Sequence, residues 1–264
     1  MKHLLYILGF FTVITSCQKV IDVDLNETDP KFVIEGNYTA EDSTVRVKLT
    51  YTSNYFDEST PTEVNNATVV IKDHLGIEQT IPSIGEGMYE LTNYIPNFET
   101  SYTLTVNHGG ITYTAVSTMH TLVQMEDITY EYYPGFFGLD PGYVCDLNFY
   151  DPAGVENYYI IALSLNGVPD TKLTSLFLHD DAFSDGNLIQ RPLFLEEFNQ
   201  VGDTVGMELR SIDKVTYQYF YEILSIAGGQ TSAAPSNPAN NWDNDALGYF
   251  TAYSNSRKEV VIEE

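Results

Sequence analysis

The sequence predicts a mainly β protein in two units: a β-sandwich over residues 30–122, then a second β-rich unit over 123–264 with one helix at about 212–227. Three observations lead there. Between residues 31 and 121 apolar side chains recur at every second position, as in Val45, Val47 and Leu49, in Ala67, Val69 and Ile71, and in Tyr102, Leu104 and Val106. That period turns one face of each strand into a core and the other into water. Turn-forming residues separate the runs, at His74-Leu75-Gly76, Gly85-Glu86-Gly87 and Asn107-His108-Gly109-Gly110. The paired glycines of the last supply the positive φ of a tight hairpin. A helical repeat stands out at 211–227, where Thr216, Phe220, Ile223, Leu224 and Ala227 share a face.

The chain opens with Lys2 and His3, an apolar run over 4–14, and Thr15-Ser16-Cys17. A basic start, a short apolar core and small residues before a cleavage point make a secretory signal, and the run is too short to span a bilayer. Ile14-Thr15-Ser16-Cys17 also resembles the lipobox of bacterial lipoproteins, where small side chains fit the peptidase and the thiol is acylated. Residues 1–16 are thus expected to be a lipoprotein signal peptide, and Cys17 the lipidated mature N-terminus. Each buried methylene is worth about 0.8 kcal/mol, so several acyl chains on one residue anchor stably where one would not. Residues 17–29, with Asp22, Asp24, Glu27 and Asp29, hold few large side chains and are predicted to be a flexible tether.

About seven strands in roughly ninety residues is the density of a sandwich, which accounts for the first unit. Near Val123 the alternation stops and aromatic residues crowd around Pro134-Gly135 and Asp140-Pro141-Gly142. Residues 157–165 are nearly continuously apolar, as a central strand covered on both faces would be. Asn166-Gly167 turns the chain, and 173–178, 193–195 and 204–209 read as further strands. Ser211 is the expected helix cap, Asp213 sits near the positive end of the dipole, and Gly228-Gly229 supplies a left-handed stop. Residues 230–245 form a long loop, 247–253 a strand and 259–262 an edge strand.

The formal net charge is −25, with 12 basic against 37 acidic residues. A phosphate backbone would be repelled and no basic block offsets that, so nucleic acid is excluded as a partner. An anionic membrane surface is repelled too, which leaves attachment to the lipid on Cys17. With Cys17 acylated, Cys145 stands alone in Tyr143-Val144-Cys145-Asp146-Leu147. A strand thiol without a partner reads as a small buried apolar group rather than a nucleophile.

The stretches Asn66-Ala67-Thr68-Val69-Val70-Ile71, Gly87-Met88-Tyr89 and Ser101-Tyr102-Thr103-Leu104 resemble the immunoglobulin-like or carboxypeptidase-regulatory-like β-sandwich modules of bacterial surfaces, which serve as spacers or docking surfaces. A wider set extends the resemblance over nearly the full length: the start at Cys17-Gln18-Lys19, Phe32-Val33-Ile34-Glu35-Gly36, Ala67-Thr68-Val69, Asp180-Asp181, Asp185-Gly186 and Leu247-Gly248-Tyr249-Phe250. In order, these are similar to the Bacteroidetes outer-membrane lipoproteins called domain of unknown function 4249. Gln18-Lys19 followed by acids also resembles the export signal for the outer face of that membrane, although Val20 and Ile21 interrupt the acids. The family is found beside TonB-dependent outer-membrane transporters. The resemblance therefore implies a lipid-anchored protein facing the cell exterior, partnering such a transporter in nutrient uptake, and it brings no catalytic residues.

Candidate sites follow from chemistry. Asp180, Asp181 and Asp185 crowd oxygen ligands around Gly186 and could suit Ca²⁺, a hard cation, or form a polar turn. Spacing excludes an EF-hand, since Phe183 and Pro192 fall where ligands would stand. Asp243-Asn244-Asp245 is a second acidic cluster of the same kind. Tyr132, Tyr133, Phe136, Phe137 and Trp242 lie in loop-like sequence and offer ring surface for a ligand or partner, or cover the junction of the units. His179, beside Asp180 and Asp181, lacks a nucleophile-elbow sequence. The leading functional expectation is a binding or docking lipoprotein without catalytic residues. A structural or adhesive surface module, and a hydrolase using Asp180, Asp181 or Asp185, are the rivals.

Overall fold

In the computed structural model the described residues are 29–53, 61–135, 140–194, 199–228 and 237–264. Cys17, the leader, Phe136 and Phe137 lie outside them. The strands are β1 (Phe32–Thr39), β2 (Thr44–Tyr51), β3 (Thr62–Glu63), β4 (Thr68–Lys72), β5 (Glu78–Ile81), β6 (Ser83–Gly85), β7 (Met88–Leu91), β8 (Thr100–His108) and β9 (Ile111–Met119). They continue with β10 (Met125–Tyr133), β11 (Gly142–Tyr150), β12 (Tyr158–Leu165), β13 (Val168–Pro169), β14 (Phe177–Asp180), β15 (Leu188–Leu193) and β16 (Thr204–Ile212); α1 (Lys214–Ala227) and β17 (Leu247–Val261) follow. The protein is mainly β, as the alternation predicts.

The first core forms where the even-numbered face of β1 and the odd-numbered face of β2 meet the sheet β5-β4-β8-β9. Ile34, Tyr38, Val45, Val47 and Leu49 on one side, and Val69, Ile71, Leu104 and Val106 on the other, are all fully buried. The β8–β9 hairpin turns at Gly109 and Gly110, both at positive φ, with His108 opposite Ile111. The second core lies between β10-β11-β15 and the sheet of β12 and β16, with Cys145, Leu147 and Phe149 against Tyr159, Ile161, Met207 and Leu209.

One strand joins the two cores. The first half of β17 runs parallel to β1, from Val33↔Leu247 to Thr39↔Tyr253, and its second half runs antiparallel to β16, from Ser211↔Ser254 to Thr204↔Val261. Phe250 and Ala252 thereby enter the first core and Ile262 the second. The sequence boundary near Val123 assigns all of 242–253 to the second unit, whereas Trp242, Ala246, Phe250 and Ala252 pack in the first core. The two strands expected at 247–253 and 259–262 are likewise one. The polar stretch between them does not break the strand, because it stays in the β16 ladder and Asn255 and Ser256 bond within the interior. Ser256 Oγ donates to Val123 O at 2.9 Å and accepts from Met125 N at 3.0 Å.

The segment before β17 seals the edge of β9. Asp243 N donates to Thr114 O at 3.1 Å and Thr114 N to Asp243 Oδ1 at 2.6 Å, while Asn244 Nδ2 reaches Thr112 O at 2.7 Å. Asn241 acts as a surrogate peptide group, donating to Phe250 O at 2.7 Å and accepting from Phe250 N at 3.0 Å. Asp243 is thereby tied to the strand edge rather than gathered into an acidic site.

The helix begins later than expected. Ser211 is a buried residue of β16, and the N-cap is Asp213, whose Oδ1 accepts from Thr216 N at 2.8 Å. Gly228 is the C-cap, at φ −78°, and Gly229 of the expected glycine stop lies outside the described residues. The buried face holds Thr216 and Tyr219 rather than the full predicted stripe, and Ala227 is exposed. Residues 173–175 form a short 3₁₀ turn, which delays the expected strand there to Phe177.

Candidate ligand cleft

A cleft of about 710 Å³ opens between α1, the loop at 167–176 and the exposed face of β12, β16 and β17. Its position follows from the alternation of β17. Phe250, Ala252 and their kind fill the cores, so Tyr249, Asn255, Arg257 and Glu259 point the other way, and the helix leaving β16 folds over the Tyr249 end. Tyr219 and Phe220 of α1 pack on Tyr249 with ring centroids 5.2 and 5.1 Å away. Gly206 keeps the floor open, since a Cβ there would stand 2.2 Å from Ser164 Oγ.

The floor is an ionic network. Register places Glu208 opposite Arg257 and Arg210 opposite Asn255. Arg210 Nη2 donates to Glu208 Oε2 at 2.9 Å, Arg257 Nη2 approaches both Glu208 Oε2 and Glu41 Oε2 at 3.3 Å, and Asn255 Nδ2 donates to Glu208 Oε1 at 2.9 Å. The Arg210 guanidinium also stands 5.2 Å above the Tyr253 ring. Glu208 is nearly enclosed, with 11% of its side-chain surface exposed, while Arg257 keeps 58%. Burial pushes the Glu208 carboxyl up, but Arg210 and Arg257 outweigh it and hold the group below the usual glutamate range. Arg210 Nε and Asn255 Oδ1 are buried without a hydrogen-bond partner. Asn255 cannot rotate to relieve this, because Glu41 and Glu208 both take its Nδ2.

A depressed carboxyl pKa contributes stability that is complete above the unfolded-state value and is lost as pH falls through the folded-state value. Glu208→Gln should therefore be less stable than wild type at neutral pH, with the gap closing below the ordinary glutamate range. Acid unfolding followed by circular dichroism of the two proteins checks this. A gap that widens on acidification contradicts it.

The aromatic residues separate. Tyr132 and Tyr133 lie at the end of β10 rather than in a loop; Tyr132 is 60% exposed and meets Tyr143 edge-on at 5.5 Å, and Tyr133 meets Phe194 at 6.4 Å. A smaller hollow of about 320 Å³ lies beside them, lined by Tyr133, Phe194, Asp146 and Gln190 among others. Trp242 does not belong to that surface. It is a core residue with 8% exposure, and its Nε1 donates to Ile34 O at 3.1 Å. Its loop-like neighbours hid this, because the strap that carries it is itself pinned to β9. Trp242→Phe keeps most of the ring but strands that carbonyl. It should lower the unfolding free energy by about 1–3 kcal/mol, measurable by urea titration.

The acidic cluster is also rearranged. Carboxylate oxygens of Asp151, Asp181 and Asp185 lie within 4.8 Å of one another, whereas Asp180 turns away and accepts from Tyr217 Oη at 2.9 Å. Asp151 was missed in the sequence because its approach depends on Tyr150 pairing with Leu188, some forty residues on. The three carboxylates hold the chain in place: Tyr159 Oη donates to Asp151 at 2.6 Å, Asn157 N to Asp181 at 2.9 Å and Gly154 N to Asp185 at 2.6 Å. Burial first, and then the nearby Asp151 and Asp185, raise the Asp181 pKa. The set offers oxygens to a hard cation, which requires 6–8 of them, and serves as it stands to lock two turns together.

His179 stacks against Tyr159 at 6.2 Å and its Nε2 lies 3.4 Å from Ser184 Oγ. Burial, and then Arg191, lower its pKa, and neither it nor Ser184 lines the cleft. Cys145 is buried, with its thiol pushed up to about 11 by desolvation, so it is protonated at neutral pH.

A family model described as "Domain of unknown function (DUF4249)" matches residues 18–259. No curated protein matches the chain. Among solved structures it is similar to the FN1–FN3 domains of chicken CNTN1, at 11% identity over 89% of this chain and 66% of that one, with a TM-score of 0.25. It is also similar to the selenomethionine-substituted chicken interferon gamma receptor alpha chain, at 13% identity over 70% of this chain and 90% of that one, with a TM-score of 0.22.

Proposed function

We propose a function on this premise: the chain belongs to the family described as domain of unknown function DUF4249. It acts as an outer-membrane lipoprotein, anchored through acyl chains on Cys17 and facing the cell exterior, that binds a small ligand and presents it to a TonB-dependent transporter. The observation that carries the binding role is the cleft beside α1, with aromatic walls and a polar floor of Arg210, Arg257 and Glu208. Ligand sites take this form, concave and largely apolar with a few placed polar groups. The exposed Tyr132, beside Tyr133 and Phe194, supplies the transporter contact, where rings give large area at low entropic cost.

Binding accounts for the chemistry better than hydrolysis does. Among the described residues that line the cleft there is no histidine or cysteine, and Glu208 is held ionised between two guanidiniums rather than poised as a proton donor. Asp181 and Asp185 are engaged by backbone N–H groups. Purification of the tagged lipoprotein from native outer membranes tests the role. A transporter β-barrel should co-purify, and Tyr132→Ala should weaken its recovery. Recovery of the lipoprotein with no transporter overturns the reading.

A further inference from the structure

We infer that the cleft takes an amphipathic carboxylate: an organic acid whose carboxylate binds the guanidinium of Arg257 while its apolar body lies against α1. This rests on the cleft being the ligand site. The chain carries only 12 basic residues against 37 acidic ones, yet two arginines converge on the floor of its large cleft. Both address the same sheltered acceptor, Glu208, to which Asn255 also donates. Arg210 Nε is left without a partner there.

Arg257 has room for a second carboxylate. Its contact to Glu41 is long, at 3.3 Å, and Glu41 is itself half-exposed, so an incoming carboxylate exchanges one solvated ion pair for a bidentate one. The other acids of the cleft are Glu35, Asp170 and Glu259, and Lys172 and Lys258 of the same lining offset their charge. Above the floor, Tyr219, Phe220 and Ile223 of α1 present rings and a branched side chain, which suits an apolar body. The overall negative charge disfavours anions at long range, so recognition depends on these short contacts.

Isothermal titration of the purified lipoprotein with phenylbutyrate, phenylbutanol and phenylbutylamine separates headgroup from body, since the three share one apolar tail. The acid should bind about ten times tighter than the alcohol or more, as charge-assisted hydrogen bonds require. Arg257→Gln should remove that preference, and Arg257→Lys should restore part of it. Arg257 is chosen because its exposure leaves the fold intact. Equal or tighter binding of the alcohol or amine overturns the inference while leaving the cleft as a binding site. A preference unchanged by Arg257→Gln, or no binding of any of the three, also overturns it. Loss of transporter co-purification, by contrast, strikes the functional reading and not the headgroup chemistry.

Discussion

Gly248→Ala is expected to prevent formation of the native fold, at a cost above about 4 kcal/mol. Gly248 sits at φ +97°, where an L side chain is strained, and a Cβ there would lie 2.2 Å from Ile34 O and 2.8 Å from its carbonyl carbon. Backbone cannot yield as a side-chain tip does, so β1 and β17 would have to part at the start of their shared register. The same carbonyl accepts the Trp242 indole N–H, so the shift would disturb the strap as well. Soluble yield and near-ultraviolet circular dichroism read the result. A soluble variant with a native near-ultraviolet spectrum contradicts it.

Asp213→Ala should cost about 3–5 kcal/mol, combining a lost helix cap with two further hydrogen bonds to the carboxylate, one of them buried. One carboxylate serves three donors from two parts of the molecule. Its Oδ1 accepts from Thr216 N at 2.8 Å, and its Oδ2 accepts from Ser117 Oγ at 2.5 Å and Thr118 N at 3.1 Å. Ser117 Oγ in turn accepts from Ala252 N at 2.9 Å, so β9, β17 and α1 meet at this side chain. Asp213→Asn retains an oxygen for the cap but presents an N–H₂ to one set of donors, and should cost less than alanine. Urea titration of both variants ranks them. An alanine variant within about 1 kcal/mol of wild type would show that the clamp is redundant.

Local pattern made much of the fold legible. The alternation at Val45, Val47 and Leu49, the glycine pair at 109–110 and the apolar run that became β12 each report a neighbour-to-neighbour property, and each element formed where the period placed it. The seam was not legible in that way. Ser254, Asn255, Ser256, Arg257 and Lys258 look like a loop because the partners of Asn255, Ser256 and Arg257 lie far off in the chain, at Glu41, Glu208 and Val123. Trp242 and Asp151 were misplaced or missed for the same reason: a core or a cluster assembled across distant strands leaves no periodic trace. Asp213 displaced Ser211 as the cap because β16 extends through Ile212 to pair with β12 and keeps Ser211 in the ladder.

The family resemblance held a clue of this non-local kind. Phe32-Val33-Ile34-Glu35-Gly36 and Leu247-Gly248-Tyr249-Phe250 stand near opposite ends of the chain, and they pair in register, Ile34 with Gly248 and Gly36 with Phe250. Their side chains divide between faces: Ile34 and Phe250 fill the first core, while Glu35 and Tyr249 turn to the cleft. The sheet that holds the molecule together is thus the one that builds the floor of the cleft.

If β17 fuses both cores beneath the cleft, the protein must unfold as one body. Differential scanning calorimetry should give a single transition whose calorimetric and van't Hoff enthalpies agree. Two resolved transitions, one for each core, would contradict the account.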